Sequence, residues 1–584
     1  MEQGIGSQAD PVISFDLAGP ANGRSGYYNW DYHNFAPRIA FAYTPGSGKT
    51  VIRGGFGMVY DHIGSGLLNT FDQRGSFGLS TQLSNSTVFS VGTAPRVTGL
   101  NTIPTGPGTG FPPPPTPGFP FTPPSAGTGL GIYWGLDDSV RTPYTYTVDF
   151  SVARELPRNM SVQLSYVGHY AHRLLAQEDL AMPLNLKDPA SGFNYFEAAT
   201  ALAKVYQGTN APVSTAVTPE MVGPTAAYWQ NIMTPLQPGD QYTLLCPESD
   251  SGPFSTPSVL QAVYNIYSCF STNETTALAT IDFYGTNFDG TPGIQGTSGN
   301  FYPFKQGGNT FFNDQFHSLY AWRSIGSASY NALQVNLKKV YSQGIQFDFN
   351  YTYSKSIDQQ SDAERVDAWS GLSGNIINSW SPDALRGVSD FDNAHQINAN
   401  FLAELPFGKG KPVAPNAGGF LNAVIGGWQL SGLARWSSGF PVGISNGFTW
   451  PTNWQLGGSA IVTGHPDTKL TRAPDGTPNI FPDPQGPTGI GAFRHALPGE
   501  SGARNSLRGP GYAGLDLGLS KHWVMPYSDH HSLQFRWEVF NVFNQARFDV
   551  QTLTTGLDAG PSFGQFSGLL TNPRVMQFPM RYEF

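Results

Sequence analysis

The sequence predicts an all-β protein: a transmembrane antiparallel β-barrel, or the C-terminal part of one, with long extracellular loops. Three observations carry this. Apolar and polar residues alternate strictly over segments of about ten residues, the period of a two-faced strand. The connections between these segments alternate between short and long. Charged residues make up 12% of the 584, aromatics 13%, and Gly 69 plus Pro 47 about a fifth of the chain. An ordinary soluble domain is roughly 25% charged and needs that charge to cover its surface. The mean hydropathy is −0.25, and no run of about 18 uncharged apolar residues exists, so a helical span is excluded. A net charge of −9 argues against a nucleic-acid partner, which would meet a basic face. A secreted all-β adhesin is the alternative this composition allows.

Segment by segment, the alternation is plain. Tyr144, Tyr146, Val148, Phe150 and Val152 form one face, with Thr145, Thr147, Asp149 and Ser151 between them. After a turn at Glu155 to Asn159, Met160, Val162, Leu164 and Tyr166 alternate with Ser161, Gln163 and Ser165. Leu333, Val335 and Leu337 oppose Gln334, Asn336 and Lys338; beyond Tyr341–Gly344, Phe347, Phe349, Tyr351 and Tyr353 oppose Gln346, Asp348, Asn350 and Thr352. Leu533, Phe535, Trp537 and Val539 oppose Gln534, Arg536 and Glu538. A carboxylate in lipid would be unpaired, so Asp348 fixes which face is lumenal. About twelve strands are expected, near 11–17, 36–44, 49–60, 143–154, 158–169, 329–340, 344–355, 391–404, 427–437, 512–523, 531–542 and 573–584. They fall in blocks 36–60, 143–169, 329–355, 391–437, 512–542 and 573–584. A tilted strand of about 9–11 residues crosses a bilayer.

The connections sort by length. Thr44–Lys49, Glu155–Asn159, Tyr341–Gly344 and Met525–His530 are short, with a longer Gly/Pro-rich link at 405–426. The others, 61–142, 170–328, 356–390, 438–511 and 543–572, are long. Short periplasmic turns and long outer loops are the layout of an outer-membrane barrel. Phe111–Pro124 is proline-rich and reads as a stiff loop, and Ala198–Tyr206 is a candidate loop helix.

Chemistry-bearing motifs are few. Gly46–Thr50 resembles half a phosphate loop, but a strand follows where a helix is needed, so it reads as a hairpin turn. In Asp390–His395 the two aspartates would share a strand face and His395 the other, so the group reads as lumen or rim polarity rather than a metal site. His530 and His531 lack a spaced third ligand and read as solvated. No catalytic residue, metal or cofactor is expected. Cys246 and Cys269 lie in one polar region and form either one disulfide or two free thiols. The segment MEQGIGSQADPVISF has no basic-then-apolar leader, so either an N-terminal part is expected to be missing or the membrane reading fails. At the other end, Met576, Phe578, Met580, Tyr582 and Phe584 form an apolar face closing on an aromatic residue, the pattern read by the outer-membrane assembly machinery.

Several strings resemble the C-terminal barrel of TonB-dependent outer-membrane receptors, in particular the Oar-like group abundant in acidobacteria. They are Asn34–Tyr43 (NFAPRIAFAY), Thr50–Gly57 (TVIRGGFG), Arg154–Pro157 with Tyr166–Gly168, Tyr330–Val335 (YNALQV) and Tyr351–Ser356 (YTYSKS). Further along come Arg386–Asp392 (RGVSDFD), Glu404–Gly410 (ELPFGKG), Gly427–Ser431 (GWQLS), Arg504–Gly511 (RNSLRGPG) and Phe540–Asn544 (FNVFN). The resemblance implies a plugged barrel of about 22 strands, uptake of a substrate, and a TonB contact made through an N-terminal plug region; the aromatic residues of the long loops suit an oligosaccharide or peptide, with the substrate itself unidentified. It makes this chain the C-terminal barrel portion, with membrane lipid and the assembly machinery as partners. A passive porin-like or adhesin-like surface protein is the alternative function.

Overall fold

The computed structural model describes residues 2–7, 10–24, 31–61, 132–137, 140–181, 186–209, 215–232, 258–269, 277–278, 318–361, 375–376, 381–447, 458–473, 475–525 and 527–584, with short pieces between. Its frame is one antiparallel meander. The strands are β1 (Arg38–Tyr43), β2 (Thr50–Tyr60), β3 (Tyr144–Leu156), β4 (Met160–Asp179), β5 (Ser318–Ser342) and β6 (Ile345–Asp358). They continue as β7 (His395–Glu404), β8 (Trp428–Ser437), β9 (Tyr512–Met525), β10 (Ser528–Phe540), β11 (Val575–Gln577) and β12 (Met580–Glu583). Each pairs with its chain neighbours in order, and both β11 and β12 pair with β10. Three short strands, Ile132–Leu136, Asn375–Ile376 and Gly387–Val388, complete a 15-stranded sheet. Among the described residues nothing pairs with the outer side of β1 or of β11 and β12, so these strands form the two ends of the described wall. No described helix is long and apolar enough to cross a membrane.

The turn end is tight for identifiable reasons. Gln343 and Gly344 both have positive φ (56° and 76°), the backbone of a two-residue turn that matches strand twist. Arg158 and Asn159 do the same between β3 and β4. Gly46 and Gly48 (φ 58° and 79°) close β1 to β2, so the phosphate-loop lookalike is a hairpin turn. All five connections at the opposite end are long.

Four expectations change. The 11–17 strand lies in a separate N-terminal hairpin, Glu2–Ser7 with Asp10–Phe15, because it has its own partner two residues away. The 391–404 strand begins at His395; Asp390 to Ala394 turn, because Asp392 is drawn out of the ladder by other partners. The last strand is two pieces: Pro579 has no N–H to give, although its carbonyl still accepts from Arg536 N at 3.0 Å. The 170–328 loop is shorter than expected, because β4 and β5 run on for 20 and 25 residues. Register shifts at His172/Leu174 and Leu174/Ala176, with Arg173 at φ 56°, mark where that extension starts. The candidate loop helix exists as Tyr195–Gln207, capped reciprocally by Asn194 and Glu197.

Candidate functional site

The cross-strand register makes the wall two-faced at mid-height. On one side Val162, Leu337, Phe349, Ala399, Ala434 and Leu515 lie opposite one another across β4 to β9. On the other side Gln163, Asn336, Asn350, Asn398 and Arg435 form the corresponding row across β4 to β8. The polar row is internally bonded: Asn336 Nδ2 donates to Asp348 Oδ1 (2.9 Å) and Asn350 Oδ1 (2.6 Å), and Asn350 Nδ2 to Asp348 Oδ1 (2.8 Å). Asp348 thus lies with the amides, while Phe347, Phe349 and Tyr351 lie with the leucines. Small residues let rings lie flat along the apolar side: a Cβ on Gly54 would enter the Phe41 ring, and one on Gly432 the Phe401 ring.

Aromatic residues mark both edges of the apolar side. At the long-loop end Tyr60, Tyr144, Tyr146 and His172 cluster, with the Arg173 guanidinium over Tyr144. Further round, His395 packs between Tyr351, Tyr353 and Trp436 and its Nδ1 meets the Tyr351 hydroxyl at 2.9 Å. At the turn end Tyr527, His531 and Tyr582 cluster, and Trp428 and Trp523 flank Lys521. Such paired girdles flank the apolar band of a membrane barrel.

The C-terminal residues singled out from sequence take this face. Phe578 stacks on Trp537 (6.2 Å), Met580 opposes Phe535, Tyr582 opposes Leu533, and Phe584 stacks on Tyr582 (6.1 Å). His531 is not simply solvated: its Nδ1 sits 2.6 Å from the Tyr582 hydroxyl, which also meets that of Tyr527 at 2.8 Å. Cys246 lies outside the described residues, as does most of Phe111–Pro124; Cys269 ends the helix Val259–Cys269, and its side chain is not described.

Beyond the long-loop end stand two packed loop assemblies. In the first, helices Tyr195–Gln207, Ala226–Ile232 and Val259–Cys269 bury Tyr195, Tyr228, Trp229, Tyr264 and Tyr267. Asp188 ties it together; hydrogen bonds from Ser191 and Asn231 hold its carboxyl well below the usual carboxylate range. In the second, Val442, Ile480, Phe481 and Phe493 pack against Leu553, Leu557, Phe563 and Phe566, joining connection 438–511 to 541–574. Leu497 of the second packs on the core of the first.

The second assembly is fastened to the neighbouring strand ends and rim by charge. Arg504 pairs with Asp358, whose side chain is buried, and Arg508 with the buried Asp392. Asn505 Nδ2 donates to Val388 O (2.7 Å) and Asp390 Oδ1 (2.6 Å), and Asp392 Oδ1 accepts from Ser356 N (2.6 Å). Asp390 and Asp392 are therefore rim residues of a latch, and His395 belongs to the girdle. On β4 and β5, Arg323 pairs with Glu178 and Asp137. Asp179 Oδ1 accepts from Leu319 N (2.8 Å) and Ala181 N (2.9 Å); burial nonetheless pushes its carboxyl up to about 6. Sequence reasoning missed this latch, although its two halves, RGVSDFD and RNSLRGPG, were both among the strings that stood out. Among the described residues no group of three or more His, Cys, Asp or Glu is placed to hold a metal.

A meander with one apolar face, one amide face, two aromatic girdles and all its long loops at one end defines a membrane-spanning β-wall. The outer membrane beta barrel domain family matches residues 6–577, and the chain belongs to it. The protein is thus an outer-membrane one. Among solved structures it is similar to the outer membrane transporter YddB of Escherichia coli (8% identity, TM-score 0.33, 92% of this chain and 39% of that one). It is likewise similar to the siderophore receptor PirA of Acinetobacter baumannii (8%, 0.33, 94% and 41%). A mutant ferric enterobactin receptor of Pseudomonas aeruginosa, solved with enterobactin, gives 9%, 0.35, 94% and 40%. The chain spans about 40% of the length of these proteins. No curated protein matches the sequence.

Proposed function

We propose that the chain forms the C-terminal wall and outer loops of a TonB-dependent uptake receptor of the Oar-like group, whose substrate is an oligosaccharide or peptide. The observation that supports this most is the sorting of connections: five long ones at one end, three of which contribute to two packed assemblies, and mostly tight turns at the other. Substrate contact belongs to the assemblies. TonB would act through a plug region and does not touch the wall. The long loops face the exterior, and the face made by Phe578, Met580, Tyr582 and Phe584 is the assembly signal.

An epitope inserted near Asn210 should be accessible on intact cells and one in the 155–159 turn should not; the reverse pattern overturns the topology. Uptake by the full-length receptor in its host should stop when TonB is removed. Uptake that continues without TonB favours a passive pore instead. Phe584→Asp should strip the heat-modifiable species from outer-membrane fractions, and unchanged amounts would remove the assembly role.

A further inference from the structure

At the turn end four connections are tight, but the link 405–427 between β7 and β8 is a folded unit. Gly408 N donates to Val413 O (3.0 Å), Val413 N to Pro406 O (2.9 Å), and Lys409 N to Asn422 Oδ1 (2.7 Å). It carries a helix, Gly419–Ile425. That helix is bound along one side. Trp428 Nε1 donates to Val424 O (2.9 Å), Trp523 Nε1 to Ala423 O (2.9 Å), and Lys521 Nζ to Val424 O (3.1 Å) and to Gly426 O. Lys521 is only 2% exposed, with its ammonium 5.2 Å from the rings of both Trp428 and Trp523.

These three anchors locate the helix. Trp428 opposes Lys521, which opposes Phe535, and Trp523 opposes Leu533. All belong to the apolar side of the wall, so the helix sits on the lipid side, at the level of the turn-end girdle. Its free side is apolar: Phe420 is 87% exposed, Leu421 50% and Val424 52%, with Phe407 and Val413 also exposed on the same link. Residues 405–427 contain two lysines and no acid. An apolar surface continuous with a lipid-facing wall, flanked by tryptophans and carrying only positive charge, fits the boundary between headgroups and acyl chains.

We propose that the link 405–427 is a membrane foot: its helix lies in the phospholipid headgroup layer and places Phe420, Leu421 and Val424 among the acyl chains. The occupant is the periplasmic leaflet, an assignment that rests on the orientation proposed above. Lys521 neutralises the helix's carbonyl end, which would otherwise be aimed into an apolar environment without a donor. Lys409 and Lys411 stand where phosphate oxygens lie, with Lys411 also paired to Glu404 at 2.5 Å.

The test uses the full-length protein with Cys246→Ser and Cys269→Ser, folded into vesicles of phosphatidylethanolamine and phosphatidylglycerol. Phe420→Cys, Leu421→Cys and the control Asn416→Cys are each labelled with an environment-sensitive dye, and heat-modifiability certifies the fold. Dye at 420 and 421 should emit to the blue of dye at 416 and be quenched by nitroxide lipids, at a depth of about 5–10 Å. Emission at 420 and 421 equal to that at 416, with quenching by aqueous iodide alone, overturns insertion. Labelling of Asn416→Cys on intact cells by an impermeant maleimide overturns the periplasmic leaflet, whatever the depth measurement gives. Protection there until the outer membrane is opened supports it.

Discussion

The lower and upper halves of the β4–β5 ladder obey different rules. Below His172 the side chains alternate, Tyr166 opposite Leu333 on one face and Gln163 opposite Asn336 on the other. Above it, Ala176, Gln177, Glu178 and Asp179 are all buried, as are Ser318 to Trp322. Below, lipid and polar interior each claim one face. Above, loops cover both, so charge must be neutralised within the protein. The difference teaches that one strand can serve two solvents, provided a bulge resets its phase between them.

The largest break in this comparison comes from the upper half. Arg504→Ala leaves Asp358 buried without its partner, a loss of about 3–5 kcal/mol for such a pair. It should fall on the loops alone: proteolysis within 438–511 should accelerate while the heat-modifiable wall persists. Loss of the wall too would mean the halves do not fold independently.

Next comes a lower-half contrast. Phe349→Arg places a guanidinium against acyl chains, at about 2–4 kcal/mol near the midplane. Asn350→Arg puts the same charge among amides and Asp348, at about 1 kcal/mol or less. Urea titrations in vesicles compare them; equal losses would erase the distinction between faces.

Asp179 sharpens the contrast through pH. Its carboxyl titrates near 6 when folded, against 3.8 when free, so the folded form holds its proton more tightly. That contribution to stability is full below about pH 4 and is lost as pH rises through 6, at most about 3 kcal/mol. Asp179→Asn should flatten this dependence, read as hydrogen exchange at Leu319 and Ala181. Exchange at Asn336 and Asn350 should not respond.

The smallest effect is at the turn. Gln343 has the φ that asparagine tolerates best, so Gln343→Asn should raise the wall's urea midpoint slightly, by about 0.5 kcal/mol or less. A loss would show that Gln343 is held by more than its backbone.

What the sequence reveals follows from the same division. Where one face meets lipid, every second residue records it, and Asp348 alone suffices to orient β6. The faces of β3 to β6 and of β10 were legible for that reason. The extensions were not, since a strand buried on both faces has no period to read, and the bulges at Leu174 and Ala176 shift the phase. The latch was hidden by distance: Arg504 and Asp358 are 146 residues apart, Arg508 and Asp392 116. Chemistry read locally placed Asp390–His395 as lumen or rim polarity but could not show what the aspartates pair with, because neither arginine was in view. The foot read as a Gly/Pro-rich link, since a helix of seven residues is too short to show a period.

The tight turns also set an order of events. Hairpins closed by the Arg158–Asn159 and Gln343–Gly344 corners need almost no search, and their ladders can zip upward from the corner. β7 and β8 must instead meet across 405–427, roughly three doublings of loop length, or about 2 kcal/mol more closure entropy. Unless the link folds first, that hairpin is the laggard of the wall. The indole and ammonium clamps on its helix come from β8 and β9, so they can act only once those strands are adjacent. The middle of the sheet is therefore the seam that closes late, with preformed hairpins waiting on either side.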